Sequence, residues 1–98
     1  MKIQFERTGG VAGLRLIATV DAGALALEEA RKLQAMVQEA RFFELPSTLS
    51  HAQPGADRFQ YTVTVEIKGR RHTVEIAEGA APPRLRPLLD RLTAKARQ

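Results

Sequence analysis

The sequence of 98 residues contains no cysteine and no tryptophan. The absence of cysteine excludes disulfide bonds, a thiolate nucleophile and any zinc site built on cysteine. Only two histidines are present, His51 and His72, and neither has a partner at the spacing of a metal-ligand pair. His72 falls on the apolar row of a predicted strand, where we expect it to be packed in the fold. We therefore expect neither a bound metal nor a cofactor.

Motifs of catalysis and nucleotide binding are missing as well. Ser47 and Ser50 lack the strand–turn–helix context of a nucleophile elbow. The glycine-rich segment 9–13 leads into a predicted strand, so it lacks the helix N-terminus that holds phosphate. The neighbouring carboxylates Glu28 and Glu29 are expected to be solvated surface charges. The chain is therefore predicted not to be an enzyme.

Long apolar runs are also absent. The N-terminus alternates apolar and charged residues from Met1 to Arg7, which is not the pattern of a signal peptide or a membrane span. We therefore expect a cytoplasmic protein that does not bind membranes. A length of 98 residues, with 44% hydrophobic and 27% charged residues, predicts one globular domain, 1–98.

Apolar and polar residues alternate in four segments, which is the pattern of a half-buried β-strand. The first two segments, Met1–Phe5 and Leu14–Val20, are separated by a glycine pair that predicts a hairpin. The other two, Phe59–Ile67 and Arg71–Ala77, flank Gly69 and predict a second hairpin with a two-residue turn.

Two further segments show helical periodicity. The first runs from Ala26 to Arg41 and is ended by Leu45-Pro46, and the second begins near Arg86, after Pro82-Pro83. The order ββαββα predicts an α+β fold in which a four-stranded antiparallel sheet has two helices packed on one face. The predicted core lies on the apolar rows: Phe5, Leu16, Leu33, Val37, Tyr61, Val63, Val65, Val74, Leu88 and Leu92.

The net charge is +4, and the segment Arg84–Arg97 carries five cations against one aspartate, which equals the whole excess. This basic segment could contact phosphate or an acidic protein surface, or it could be the solvated face of a helix. Because most aromatic residues fall on predicted core rows, stacking on bases is not indicated. We do not expect nucleic acid to be the partner.

The glycine-rich segment resembles a known family. Phe5-Glu6-Arg7-Thr8-Gly9-Gly10-Val11-Ala12-Gly13 is similar to the N-terminal signature of the emfourin family, small protein inhibitors of thermolysin-like (protealysin-like) metalloproteases. Residues 28–46, 54–65 and 81–92 resemble later parts of that family in the same order. The resemblance implies that the partner is a thermolysin-like zinc metalloprotease and that the chain inhibits it.

The resemblance also implies a contact site. Thermolysin-like enzymes cut before a bulky apolar residue, which fills a pocket beside the zinc, and Val11 between two small neighbours is a candidate for that position. Relatives often carry a bulkier residue such as phenylalanine there. Alternatively, the glycines only form the turn and Val11 packs locally. The expected protease-binding residues belong to the hairpin tip and to the loop 47–57: Gly9, Gly10, Val11, Ala12, Gly13, Pro54, Gly55 and Asp57.

Two functions from different classes therefore remain open at this stage. The first is inhibition of a metalloprotease by a hairpin or loop that blocks the active-site cleft. The alternative is a basic binding module for nucleic acid or an acidic protein partner. Binding to phosphate weakens steeply with salt, whereas an apolar pocket contact does not, so ionic strength distinguishes the two.

Overall fold

The structure, a computed structural model, describes residues 1–10, 13–50 and 59–98. Within these ranges the chain forms five β-strands and two α-helices, and short 3₁₀ turns connect several of them. The α+β class is confirmed. The elements in chain order are β1 (Lys2–Gly9), β2 (Leu16–Asp21), α1 (Leu27–Glu39), β3 (Thr48–Leu49), β4 (Phe59–Ile67), β5 (Arg70–Ala77) and α2 (Arg86–Ala96).

The sheet has the strand order β2-β1-β4-β5-β3 and is mixed, so the predicted four-stranded antiparallel sheet is wrong both in its strand number and in its purely antiparallel pairing. β3 pairs with β5 in parallel, with Thr48 opposite Glu75, and the Glu75 N–H donates to the carbonyl of Ser47 at 2.8 Å. The preceding Pro46 favours an extended chain at this point. The extended segment satisfies backbone groups on the outer edge of β5 that would otherwise be unpaired. Two residues are too few to produce an alternation in the sequence.

The second hairpin agrees closely with its prediction. β4 spans the predicted residues and pairs antiparallel with β5, so that Ile67 lies opposite Arg70. The two intervening residues, Lys68 and Gly69, have φ angles of 50° and 80°. Positive φ at both central residues defines a type I′ turn, whose twist matches that of the strands it joins.

The first hairpin is confirmed, with a shorter second strand than the alternation indicated. β2 pairs antiparallel with β1, and the last pair is Arg7 opposite Leu16. Leu14 lies before the strand and is 71% exposed. The alternation of Leu14 with Leu16 therefore predicted two strand residues too many.

The core lies between one face of the sheet and the two helices. The strand register aligns Ile3 and Phe5 of β1 with Val65 and Val63 of β4, and all four side chains are buried. Both helices add side chains to the same buried cluster, which confirms that they cover one face. Every predicted core residue is buried except Leu16, which is half-buried because it opens an edge strand. The core also contains Ile3, Val20, Ala40, Phe42, Ile76, Leu85 and Leu89.

Backbone conformation explains where α1 ends and where α2 begins. α1 ends at Glu39, and Arg41 adopts a left-handed conformation with φ of 49°. The N–H of Arg41 donates to the carbonyl of Gln38 at 3.0 Å, which satisfies one of the free carbonyls at the helix end. α2 begins at Arg86, as predicted, and Pro87 lies in its first turn, where its missing N–H costs no helical hydrogen bond.

Glu29 joins the two helices, so the expectation that it is a solvated surface charge is wrong. The Nε of Arg91 donates to Glu29 Oε1 at 2.8 Å, and the Nη2 of Arg91 donates to the other carboxylate oxygen. Lys95 Nζ lies 3.2 Å from Glu29 Oε1. The hydrogen bonds from Arg91, and then those from Lys95, lower the pKa of Glu29 from 4.5 to about 2. A residue of α1 and two residues of α2 thus form one ionic cluster.

We expect Glu29→Gln to lower the melting temperature at neutral pH. Because the pKa of Glu29 in the folded protein lies below its ordinary value, the charged carboxylate stabilises the fold above about pH 4.5. This stabilisation is lost as the pH falls towards about 2. Thermal melts between pH 7 and pH 2 should therefore show a difference from the parent that narrows in acid. Glu28→Gln, at an exposed neighbouring position, is the control and should change little. A difference for Glu29→Gln that persisted unchanged at pH 2 would indicate lost packing rather than lost charge.

Candidate functional site

The two predicted contact segments leave the sheet at the same end. β1 and β4 pair so that Gly9, the last residue of β1, lies opposite Phe59, the first residue of β4. β3 and β5 also end here, since Leu49 lies opposite Ile76 and β5 closes at Ala77. The hairpin segment after Gly9 and the segment between Ser50 and Phe59 therefore both have their attachment points here. We call this region, defined by Arg7, Gly9, Gly10, Phe59 and Glu78, the glycine end of the sheet.

The glycines of the hairpin have conformations that other residues rarely adopt. Gly9, Gly10 and Gly13 have φ angles of 98°, 80° and 63°. The N–H of Gly13 donates to the carbonyl of Gly10 at 3.2 Å. Because L-residues with a Cβ are strained at such angles, these positions favour glycine. The predicted contact residues Val11 and Ala12 lie outside the described residues.

Phe59 supports the hairpin from the neighbouring strand. The guanidinium of Arg7 stacks over its ring, 4.0 Å from the centroid, and such a contact is favourable between a cation and an aromatic face. The backbone of Gly10 lies against the same ring, since a Cβ placed on Gly10 would come within 2.7 Å of Phe59 Cε1. Gly10 is therefore required both for its positive φ and for the close approach of Phe59.

The backbone of Phe59 is held from the other side as well. Its N–H donates to Glu78 Oε1 at 3.0 Å, and Glu78 follows β5 directly. The carbonyl of Glu78 in turn accepts a hydrogen bond from Arg86 Nη2 at 2.9 Å. The position at which the chain re-enters the sheet at Phe59 is thus fixed by the start of α2 as well as by the strand ladder.

The second predicted contact segment divides into two parts. Thr48 and Leu49, at its beginning, belong to β3, so they are edge-strand residues rather than loop residues. Pro54, Gly55 and Asp57, together with His51, lie outside the described residues. The structure therefore brings Gly9 and Gly10 together with Phe59, which the alternating pattern predicts only as a residue of a strand.

The second histidine lies away from the glycine end. His72 pairs with Val65 in the sheet, its Nε2 lies 2.7 Å from the carbonyl of Leu45, and its ring packs against those of Phe42 and Phe43. This confirms the prediction that His72 is packed and partly buried. Within residues 1–10, 13–50 and 59–98, no group of three or more His, Asp or Glu side chains is arranged to hold a metal ion.

The basic segment is partly neutralised inside the fold. Arg91 and Lys95 are engaged by Glu29, and Arg86 donates to the carbonyl of Glu78. Arg84 and Arg97 are exposed. Three of the five cations are therefore engaged within the fold, and the carboxylate of Glu29 offsets one positive charge of this segment. None of the helices that the structure describes has the length and apolar character needed to cross a membrane.

Comparison with known proteins adds one finding. A family model described as Emfourin matches residues 5–93, which is nearly the whole chain and includes the entire glycine end. No curated protein and no solved structure matches the chain significantly.

Proposed function

Because the chain belongs to the Emfourin family, we propose that it inhibits a thermolysin-like zinc metalloprotease and has no catalytic activity of its own. The family points to a protease as the partner. That this protease is a thermolysin-like zinc metalloprotease is part of the proposal. The observation that supports it is that the attachment points of the two candidate contact segments lie side by side at the glycine end. An inhibitor whose two contact segments are anchored at one end of a sheet can bring both of them to the same cleft.

The proposed contact surface consists of the hairpin residues 9–13 and of Pro54, Gly55 and Asp57. Support comes from the residues that flank both segments. Gly9 is paired with Phe59 in the sheet, and Phe59 is also held by Glu78. Because these attachment points are ordered before binding, less conformational entropy is lost on association.

Val11 is proposed to fill the apolar pocket beside the zinc of the enzyme. The chain on both sides of the hairpin segment is held by strand pairing, with Arg7 opposite Leu16 as the last pair. If the protease cut a bond within the segment, both new ends would remain tethered to the sheet. Slow release of such a product would keep the enzyme occupied, which is how a cleavable segment can still inhibit.

The test of the proposal is an inhibition assay of the purified protein against a panel of thermolysin-like proteases. We expect hydrolysis of a small fluorogenic peptide to slow at inhibitor concentrations near that of the enzyme, and a trypsin-like serine protease to be unaffected. Inhibition should persist when zinc is added in excess. Loss of inhibition on adding zinc would indicate chelation of the metal, and an absence of inhibition across the whole panel would contradict the proposal.

The alternative function, a basic module for nucleic acid or an acidic partner bound by α2, predicts a different dependence on salt. Phosphate contacts release counterions, so binding of an oligonucleotide would weaken steeply as salt is raised. With Arg86, Arg91 and Lys95 engaged within the fold, we expect only weak oligonucleotide binding at physiological salt. Fluorescence anisotropy with single-stranded and duplex probes measures this directly, and tight binding would favour the alternative.

A further inference from the structure

A second candidate surface lies at the end of the sheet opposite the glycine end. A cavity of about 510 Å³ opens there between the C-terminal part of α1 and the turn that joins β4 to β5. Side chains that line it include the apolar Val37, Phe43 and Ile67 and the cations Arg41, Lys68 and Arg70. We call this site the basic cavity. Its volume lies within the range of pockets that hold a large side chain or a small ligand.

The charges around the basic cavity are poorly balanced. Among its lining residues the only carboxylate is Glu44, whose Oε2 lies 4.0 Å from Arg41 Nε. Both side chains of that pair are mostly exposed, at 68% and 74%, so water screens their attraction strongly. Lys68 and Arg70 are also exposed. The mouth of the cavity therefore presents a net positive charge to solvent.

One of these cations is held in a defined orientation. The guanidinium of Arg70 lies over the ring of Phe43, 4.5 Å from its centroid. Phe43 packs edge-on against Phe42, which is buried. A guanidinium over a supported ring still has N–H groups that are free to meet a carboxylate in the bidentate geometry that arginine favours.

The other two cations occupy backbone positions that favour glycine or asparagine. Arg41 and Lys68 are the two non-glycine residues with positive φ, 49° and 50°, in the described part of the chain. Arg41 follows the end of α1, and Lys68 is the first central residue of the type I′ turn. Strained backbone positions are over-represented at binding sites. Within residues 1–10, 13–50 and 59–98, both non-glycine residues with positive φ carry a positive charge and line the same cavity.

We propose that the basic cavity binds an acidic peptide segment of a partner protein, anchored by one leucine or phenylalanine side chain flanked by carboxylates. The apolar anchor would contact Val37, Phe43 and Ile67, and the carboxylates would pair with Arg41, Lys68 and Arg70. This surface is separate from the glycine end, so the inference goes beyond the proposed inhibition. Both surfaces are free to be engaged at the same time.

The binding test uses a fluorescently labelled peptide in which a central phenylalanine is flanked on each side by two glutamates. We expect saturable binding to the parent protein by fluorescence anisotropy. Replacing the glutamates by glutamine, or the phenylalanine by serine, should each weaken binding by at least about tenfold. If the parent fails to bind the peptide, or if the serine peptide and an oligonucleotide bind equally well, the cavity is only a site of general attraction to polyanions and the proposal is overturned.

The variants Arg41→Gly and Lys68→Asn separate binding from folding. Each removes a charge and relieves an unfavourable φ, so each should maintain or raise the melting temperature. Each should also weaken binding of the peptide by at least about fivefold. Arg97→Gln removes an exposed cation from the distant end of α2 and is the matched control. Stable variants that bind the peptide like the parent would overturn the proposal. Protease inhibition should be unchanged in all three, so a failure here is distinguishable from a failure of the proposed function.

Discussion

The substitution Val11→Asp is expected to weaken inhibition of a thermolysin-like protease by about 100-fold or more while leaving the melting temperature of the inhibitor unchanged. If Val11 fills an apolar pocket of the enzyme, the aspartate would have to bury a carboxylate among apolar walls that offer it no partner. The stability of the free inhibitor should not change, because the core is formed by the sheet face and the helices. The measurement is an inhibition constant for each variant beside a thermal melt.

Variants at the same position give the opposite expectation. Val11→Leu and Val11→Phe should keep or improve inhibition, because additional buried apolar area contributes roughly 25 cal/mol per Å² where the pocket has room. Arg97→Ala, at an exposed position beyond α2, should leave inhibition intact. If Val11→Asp inhibits as well as the parent, the hairpin is not the pocket-filling segment, and the segment containing Pro54, Gly55 and Asp57 becomes the candidate. If Val11→Asp unfolds the domain, Val11 is a packing residue.

The elements that the sequence predicted well are those whose own pattern determines them. β4 contains five alternating apolar residues and is followed by a two-residue turn, so its bounds and its antiparallel pairing with β5 were predicted correctly. β3 has only Thr48 and Leu49, and it is a strand because β5 has a free edge beside it. A strand that depends on a partner rather than on its own alternation leaves no periodic signal in the sequence.

The same distinction applies to the candidate site. The glycine pair was predictable, because a chain reversal between two alternating segments requires positive φ. The contacts of Phe59 with Arg7, Gly10 and Glu78 were not, because they join residues far apart in sequence, and alternation assigns a residue to a face but not to a neighbour. Glu29 was misread for that reason as well. Its two cations belong to the other helix, and no local spacing connects them.

Gly10→Ala is expected to be the most damaging substitution at a described residue of the glycine end. The alanine would have to adopt a φ of 80° and would bring its Cβ within 2.7 Å of Phe59 Cε1. The first effect costs about 1–2 kcal/mol, and the second forces the ring or the hairpin to move. We therefore expect a lower melting temperature and, since the hairpin would shift relative to Phe59, a loss of inhibition larger than the loss of stability explains.

Gly13→Ala is the matched control, since its φ of 63° is also positive but an added Cβ meets nothing within 4 Å. Gly13→Ala should lose only the roughly 1–2 kcal/mol of stability that the backbone strain costs. Any additional loss of stability in Gly10→Ala therefore measures the contact with Phe59. Adding Phe59→Leu to Gly10→Ala removes the ring atom that clashes and should return part of that excess. Equal losses in the two alanine variants would mean that Phe59 does not fix the hairpin. A lower melting temperature with full inhibition in Gly10→Ala would place the protease contact elsewhere, because the glycine end would then support the fold without contacting the enzyme.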